Sequence, residues 1–182
     1  QFAQENPGYA FQYFDLYKHE SYAKDILVIA TKWVPLYGLR WIEDNKNNSL
    51  TWEILHVLKN RESVLTIAQE SLVDLFNNFE LFKDEPYIKE VLLKTVAEDP
   101  YTTISWLNRY WDWPLRKDII LALKWYFLEH PEKIFDIPKD APYRWELFLK
   151  AIPKNSWQIF SQFKEIKHEQ YALDVLLKKK KK

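Results

Sequence analysis

Cysteine and methionine are absent from the 182 residues, and glycine occurs only twice. Without cysteine there is no disulfide, no thiolate nucleophile and no Cys-ligated zinc or iron–sulfur site. At average usage, about 7%, a chain of this length would carry roughly a dozen glycines. Two leave no material for Gly-rich phosphate loops, primed hairpin turns or dinucleotide fingerprints. No apolar run approaches the roughly 20 residues of a membrane span, so no membrane insertion is expected. A surplus of charge of either sign is also missing, with 26 basic side chains against 26 acidic ones. That balance hides an asymmetry. Taking away the five lysines Lys178–Lys182 leaves 21 bases against 26 acids, a net −5. An acidic body offers no electrostatic footprint for nucleic acid. The lysine run reads as a solvated tail. The chain starts at Gln1 rather than Met, the reading of a processed chain, an extracytoplasmic one included, or of a piece of a larger protein or assembly.

What the chain has in quantity is aromatic residues, 9 Trp, 11 Tyr and 11 Phe, and an internal repeat. Five segments align: Tyr22-Ala-Lys-Asp-Ile-Leu27, Leu50-Thr-Trp-Glu-Ile-Leu55, Tyr87-Ile-Lys-Glu-Val-Leu92, Leu115-Arg-Lys-Asp-Ile-Ile120 and Tyr143-Arg-Trp-Glu-Leu-Phe148. A sixth, Tyr171-Ala-Leu-Asp-Val-Leu176, precedes the lysine tail. The acids Asp25, Glu53, Glu90, Asp118, Glu146 and Asp174 stand 28, 37, 28, 28 and 28 residues apart, so one interval holds nine extra residues. Ten positions after the acid come Pro35, Ser63, Pro100, Leu128 and Ser156, and Pro7 lies as far before Asp25 as Pro100 does before Asp118.

Each unit reads as two helices. The first opens at Ser21, Ser49, Pro86, Pro114 or Pro142, because serine caps helix N-termini and proline is tolerated at the first helical position. The second opens at the Pro/Ser landmark, with Asp99 as cap and Pro100 as first residue in one copy. Apolar residues follow at helical spacing and strand patterns are missing. The expected fold is all-α, a right- or left-curving αα-solenoid of about 28-residue helix pairs. The units lie near 7–34, 35–62, 63–99 with the insertion, 100–127, 128–155 and 156–177, in a single domain. This arrangement resembles short HEAT-like or tetratricopeptide-like arrays at the level of class. The frame slips twice. The insertion near Ser71–Phe82 reads as an additional or lengthened helix, and His130-Pro131 moves the fourth boundary three residues late. There the first helix is expected to be longer and the second, around Glu132–Ile137, shorter.

The recurring acids fall in the first turn of a helix, where the positive end of the dipole stabilises a carboxylate by roughly 0.3–1 kcal/mol, and six equivalent positions speak for structure rather than catalysis. The histidines, His19, His56, His130 and His168, lack metal-binding spacing, so neither a metal nor a cofactor is expected. The string Ile67-Ala-Gln-Glu-Ser71 resembles the Gln-Glu-Ser helix end of lysozyme-like lytic transglycosylases. By that resemblance Glu70 would be the general acid of a glycan-cleaving enzyme. The Gly-Leu-Met-Gln segment of that family has no counterpart here.

Most aromatics sit at core positions: Tyr13, Phe14, Tyr17, Trp41, Trp106, Tyr110, Phe148 and Phe160. Four tryptophans depart from the frame. Trp52 and Trp145 replace the lysine found at Lys24, Lys89 and Lys117, and Trp111 and Trp113 replace charged or polar residues of sister units. Trp125 and Tyr126 are off-pattern at the other end of a first helix. The four tryptophans mark one edge of the stack and predict a protein or peptide partner, since exposed Trp is a common anchor of interfaces. The expected function is a non-catalytic scaffold or interaction module. A glycan-acting enzyme or accessory module and a structural or designed spacer are the alternatives.

Overall fold

The structure, a computed structural model, describes residues 2–107, 115–137, 141 and 143–151. Among these residues every regular element is helical and no strand occurs. The helices are α1 (Phe2–Glu5), α2 (Pro7–Gln12), α3 (Phe14–Tyr17), α4 (Ala23–Trp33), α5 (Pro35–Asp44), α6 (Thr51–Leu58) and α7 (Arg61–Glu70). They continue with α8 (Leu72–Asn77), α9 (Ile88–Thr95), α10 (Pro100–Leu107), α11 (Arg116–Ala122) and α12 (Lys124–Glu129). The final helix among the described residues, α13, covers residues 143–151. Short 3-10 turns span Phe79–Leu81 and Pro131–Asp136. None of the described helices is long and apolar enough to cross a membrane. Contacts group the chain into two compact units, Gln1–Thr95 and Val96–Lys182.

The positions after each acid make the core. The pair that follows it is buried as Ile54 and Leu55, Val91 and Leu92, Ile119 and Ile120, and Leu147 and Phe148, while in the first copy Leu27 is buried and Ile26 partly so. Five positions after the acid, Ala30, Leu58, Thr95, Leu123 and Ala151 are all buried. This one-turn spacing puts the three positions on one helix stripe. Each large aliphatic side chain enclosed there contributes roughly 1.5–3 kcal/mol.

Proline and polar caps set where the helices begin. Pro7, Pro35 and Pro100 are the first residues of α2, α5 and α10, where a missing N–H costs nothing. Asp99 caps α10, its Oδ1 accepting the Thr102 N–H at 3.0 Å. Asn60 caps α7 by accepting the Ser63 N–H at 3.0 Å, so this helix starts two residues before the Ser63 landmark. Helices α4 and α6 start one residue later than caps at Ser21 and Ser49 imply, α9 and α11 start two residues later than Pro86 and Pro114 imply, and α4 and α6 carry no side-chain cap. At α6 the work falls to neighbouring groups. Asn48 Oδ1 accepts the Leu50 N–H at 2.9 Å, and the Thr51 hydroxyl donates to the Asn45 carbonyl at 2.6 Å.

In the first unit α4 packs on α1, α2, α5 and α6, α5 packs on α2, α6, α7 and α8, and α7 packs on α6, α8 and α9. The α4–α5 crossing is tight at Gly38, where an added Cβ would lie 2.8 Å from Thr31 Cγ2. Two of the recurring acids join neighbouring helices. Glu53 on α6 accepts from Lys24 on α4 at 2.6 Å, and Glu90 on α9 pairs with Arg61 on α7. Both pairs are exposed, so solvent screens them and they fasten the helices only weakly. The nine-residue insertion is an added helix, α8, capped by Ser71, whose hydroxyl accepts the Asp74 N–H at 3.3 Å. Arg40 on α5 donates to Asp74 at 2.7 and 3.2 Å, and Asn78 donates to Glu43 at 2.6 Å, fastening the insertion to α5.

In the second unit the late boundary at His130-Pro131 is present. Helices α11 and α12 follow each other across Leu123, and Pro131 opens only the 3-10 turn. Arg144 is enclosed there, with its guanidinium over the Phe135 and Phe148 rings at 5.9 and 5.5 Å and Nε donating to the Ile134 carbonyl at 3.3 Å.

Candidate functional site

Helix α6 begins one residue before Trp52, which the first turn points outward. Trp52 is 73% exposed, and its frame equivalents Lys24, Lys89 and Lys117 are exposed too. His56 stands one turn further on the same exposed face of α6. Trp145 lies on α13 and is partly buried. Trp52 belongs to the first unit and Trp145 to the second. Trp111 and Trp113 lie outside the described residues, as do Tyr110, Phe160 and His168. Of the expected core aromatics, Phe14, Trp41, Trp106 and Phe148 are buried, and Tyr17 is partly buried. The Tyr17 hydroxyl donates to the Ala10 carbonyl, and burial pushes the phenol up to about 12. Tyr13 departs from that expectation, with 45% of its surface exposed. Helix α2 ends at Gln12, and the break at Tyr13 turns its ring out against Tyr9, 5.8 Å away.

Trp33 departs from the frame as well, beside the four edge tryptophans and Trp125. Trp33 ends α4 and is 62% exposed. Eight positions after the acid, its equivalents are Arg61, Glu98 and Tyr126, so comparing that column would have singled it out. Trp33 borders an open cleft of about 650 Å³ between α4, α6 and α7, with Lys32, His56, Asn60, Glu62 and Thr66 among its walls. Asn60 is held rigidly, since its amide also donates to the Val57 carbonyl at 2.6 Å and to Ser63 Oγ at 2.8 Å.

A second cleft of about 440 Å³ runs between α2 and α5, lined by Gly8, Tyr9, Phe11, Tyr37, Arg40 and Asp44 over a floor that includes Trp41. Phe11 stacks on Tyr37 with centroids 6.4 Å apart, and Trp41 meets Phe14 edge-on at 5.1 Å. Tyr9 and Tyr37 are about half exposed. The Asp74 hydrogen bond raises the Arg40 pKa and keeps it firmly cationic. In the second unit a smaller cleft of about 200 Å³ includes Tyr101, Tyr126, Lys133 and Asp136, with Lys133 Nζ 5.8 Å from the Tyr101 ring centre. The off-pattern Trp125 is exposed and meets Tyr126 edge-on at 5.9 Å.

Glu70 is the last residue of α7 and is exposed, whereas the transglycosylase resemblance implies an acid enclosed by apolar side chains. His130 packs at a tilt against Tyr126 with centroids 4.6 Å apart, and its Nδ1 is 3.6 Å from Glu132. Among the described residues no group of three or more His, Cys, Asp or Glu is placed to hold a metal ion. No protein-family model, curated protein or solved structure matches the chain.

Proposed function

We propose that the chain is an αα-solenoid acting as a non-catalytic interaction module, and that it binds a protein or peptide through exposed tryptophans along its first helices. The observation that carries this reading is the exposure of Trp52 and Trp33, 73% and 62%, at positions that sister units fill largely with charged residues. A ring this large left in water gives up burial that the fold could have used, and rigid aromatic anchors are what interfaces concentrate. The array is supported by the burial of the residues two and five positions after each described acid and by the neighbour order. Helix α4 meets α6, and α2, α5 and α7 meet in succession.

The test is a Trp33→Ala/Trp52→Ala double variant, with cross-linking to partners and thermal unfolding measured side by side. Exposed side chains away from special features change stability by only about 0.5 kcal/mol. Partners should therefore be lost while melting barely moves. A collapse of stability, or unchanged cross-links, overturns the reading.

A further inference from the structure

The α2–α5 cleft has a charge and a surface that the tryptophan edge does not use. Its walls include Tyr9 and Tyr37, each about half exposed, and Arg40, the one lining cation among the described residues, is held by Asp74. Asp44, also in the wall, is exposed and has no cation within ion-pair distance among the described residues, not even Lys46 two positions on. It is the last residue of α5, and that helix has no base in its final turn. The carboxylates of Glu43 and Asp44 thus stand at the negative end of the helix dipole, where an anion is disfavoured. The Asn78 amide relieves Glu43, whereas among the described residues no ion pair relieves Asp44. A cation arriving from outside would relieve it, and half-exposed aromatic rings favour an organic cation over a hydrated metal ion.

We propose that this cleft seats an arginine side chain of an extended, basic peptide segment. The guanidinium lies against the Tyr9 and Tyr37 rings with its N–H groups donating to Asp44. Lysine is the weaker occupant, because a planar guanidinium stacks on a ring and keeps its donors in one plane. The cleft's volume of about 440 Å³ exceeds that of one arginine side chain and leaves room for backbone beside it. This proposal rests on the reading of the chain as an interaction module, but on a different surface.

The test titrates the whole chain with blocked pentapeptides Ala-Ala-X-Ala-Ala, X being Arg, Lys, Gln or Glu, followed by NMR shifts of the tyrosine rings. Arginine should bind about tenfold more tightly than glutamine, with lysine between them and glutamate weakest. Asp44→Asn and Tyr9→Ala should each remove most of that preference. Asp15→Asn, an exposed acid paired with Lys18 on α3, should leave it intact. Equal binding of Arg and Gln peptides, no binding up to about 10 mM, or an unaltered preference in Asp44→Asn overturns the proposal. Trp33→Ala/Trp52→Ala separates the two readings. Arginine binding retained while cross-linked partners persist undoes the tryptophan edge alone, and a lost preference with partners still dependent on tryptophan undoes this cleft alone.

Discussion

Two helix pairs share one frame and end differently. In the first unit Asp25 lies in the first turn of α4, which is followed by Val34 and the ten-residue α5. In the second, Asp118 is followed by α11, α12 and only a six-residue 3-10 turn. Both bury the residues two and five positions after the acid, Leu27 and Ala30 in one, Ile120 and Leu123 in the other. They part ten positions after it, where one has Pro35 and the other Leu128. Leucine lets the helix run on to Glu129, and the break waits for Pro131. Pro131 occupies the column that Gly38 fills in the first pair. In these two pairs the burial pattern therefore follows the apolar frame, whereas the opening of the second element follows Pro35 and Pro131.

The sharpest way to break this comparison is Leu128→Pro. That position now lies inside α12, where proline removes a helix hydrogen bond and clashes with the preceding turn, at a cost of about 3 kcal/mol. Pro35→Ala should cost only about 1 kcal/mol, because its position has no N–H partner to lose and mainly stiffens the unfolded chain. Urea unfolding of the two variants measures the contrast, and equal losses would undo the claim that proline sets the boundary.

The two glycines sharpen the picture next. Alanine at Gly38 gains helix propensity of about 1 kcal/mol, yet its Cβ would sit 2.8 Å from Thr31 Cγ2 and 3.3 Å from Thr31 Cβ. Thr31 is enclosed, with its hydroxyl donating to the Leu27 carbonyl at 2.7 Å, so it has nowhere to move. The clash wins, and Gly38→Ala should destabilise by about 1–3 kcal/mol. Thr31→Ser in the same chain should recover part of that loss by removing Cγ2. At Gly8 the nearest atom to an added Cβ is Tyr37 Cε1 at 3.6 Å, ordinary contact, and Gly8→Ala should stabilise by about 0.4–1 kcal/mol. Melting temperatures moving the same way at both sites would contradict this.

The smallest effect concerns the recurring acids. The Arg61 hydrogen bond holds the Glu90 carboxyl below the glutamate value of 4.5. A group depressed in the folded state contributes stability above its unfolded pKa and loses it as pH falls through the folded one. The stability gap between the parent chain and Arg61→Gln should therefore be present at neutral pH and close in acid below about 4.5. Glu146, held down by Lys150, should give the same shape of curve in Lys150→Gln. A gap that stays constant with pH would mean that these pairs act through packing alone.

The helical class, the core columns, the added helix and the late boundary at His130-Pro131 were legible because each depends on local pattern. Tyr13 was not, because its column is buried at Trp41 and Trp106 and only the break of α2 from α3 turns the ring out. The helix starts at Ala23 and Thr51 were not, because Asn48 and backbone turns replaced serine caps. The clefts were hidden for a deeper reason. Tyr9 and Tyr37 lie 28 residues apart in sequence, and only the packing of α2 on α5 sets them on one surface.

The added helix α8 has a consequence for how such a chain comes apart. A linear array frays from its ends, each unit held only by its two neighbours. Helix α8 touches both α5 and α7 and is riveted to α5 through Arg40–Asp74 and Asn78–Glu43. In the proposed array these fastenings strengthen the coupling around the added helix, and opening from the N-terminal end is expected to slow at Ser71–Phe82.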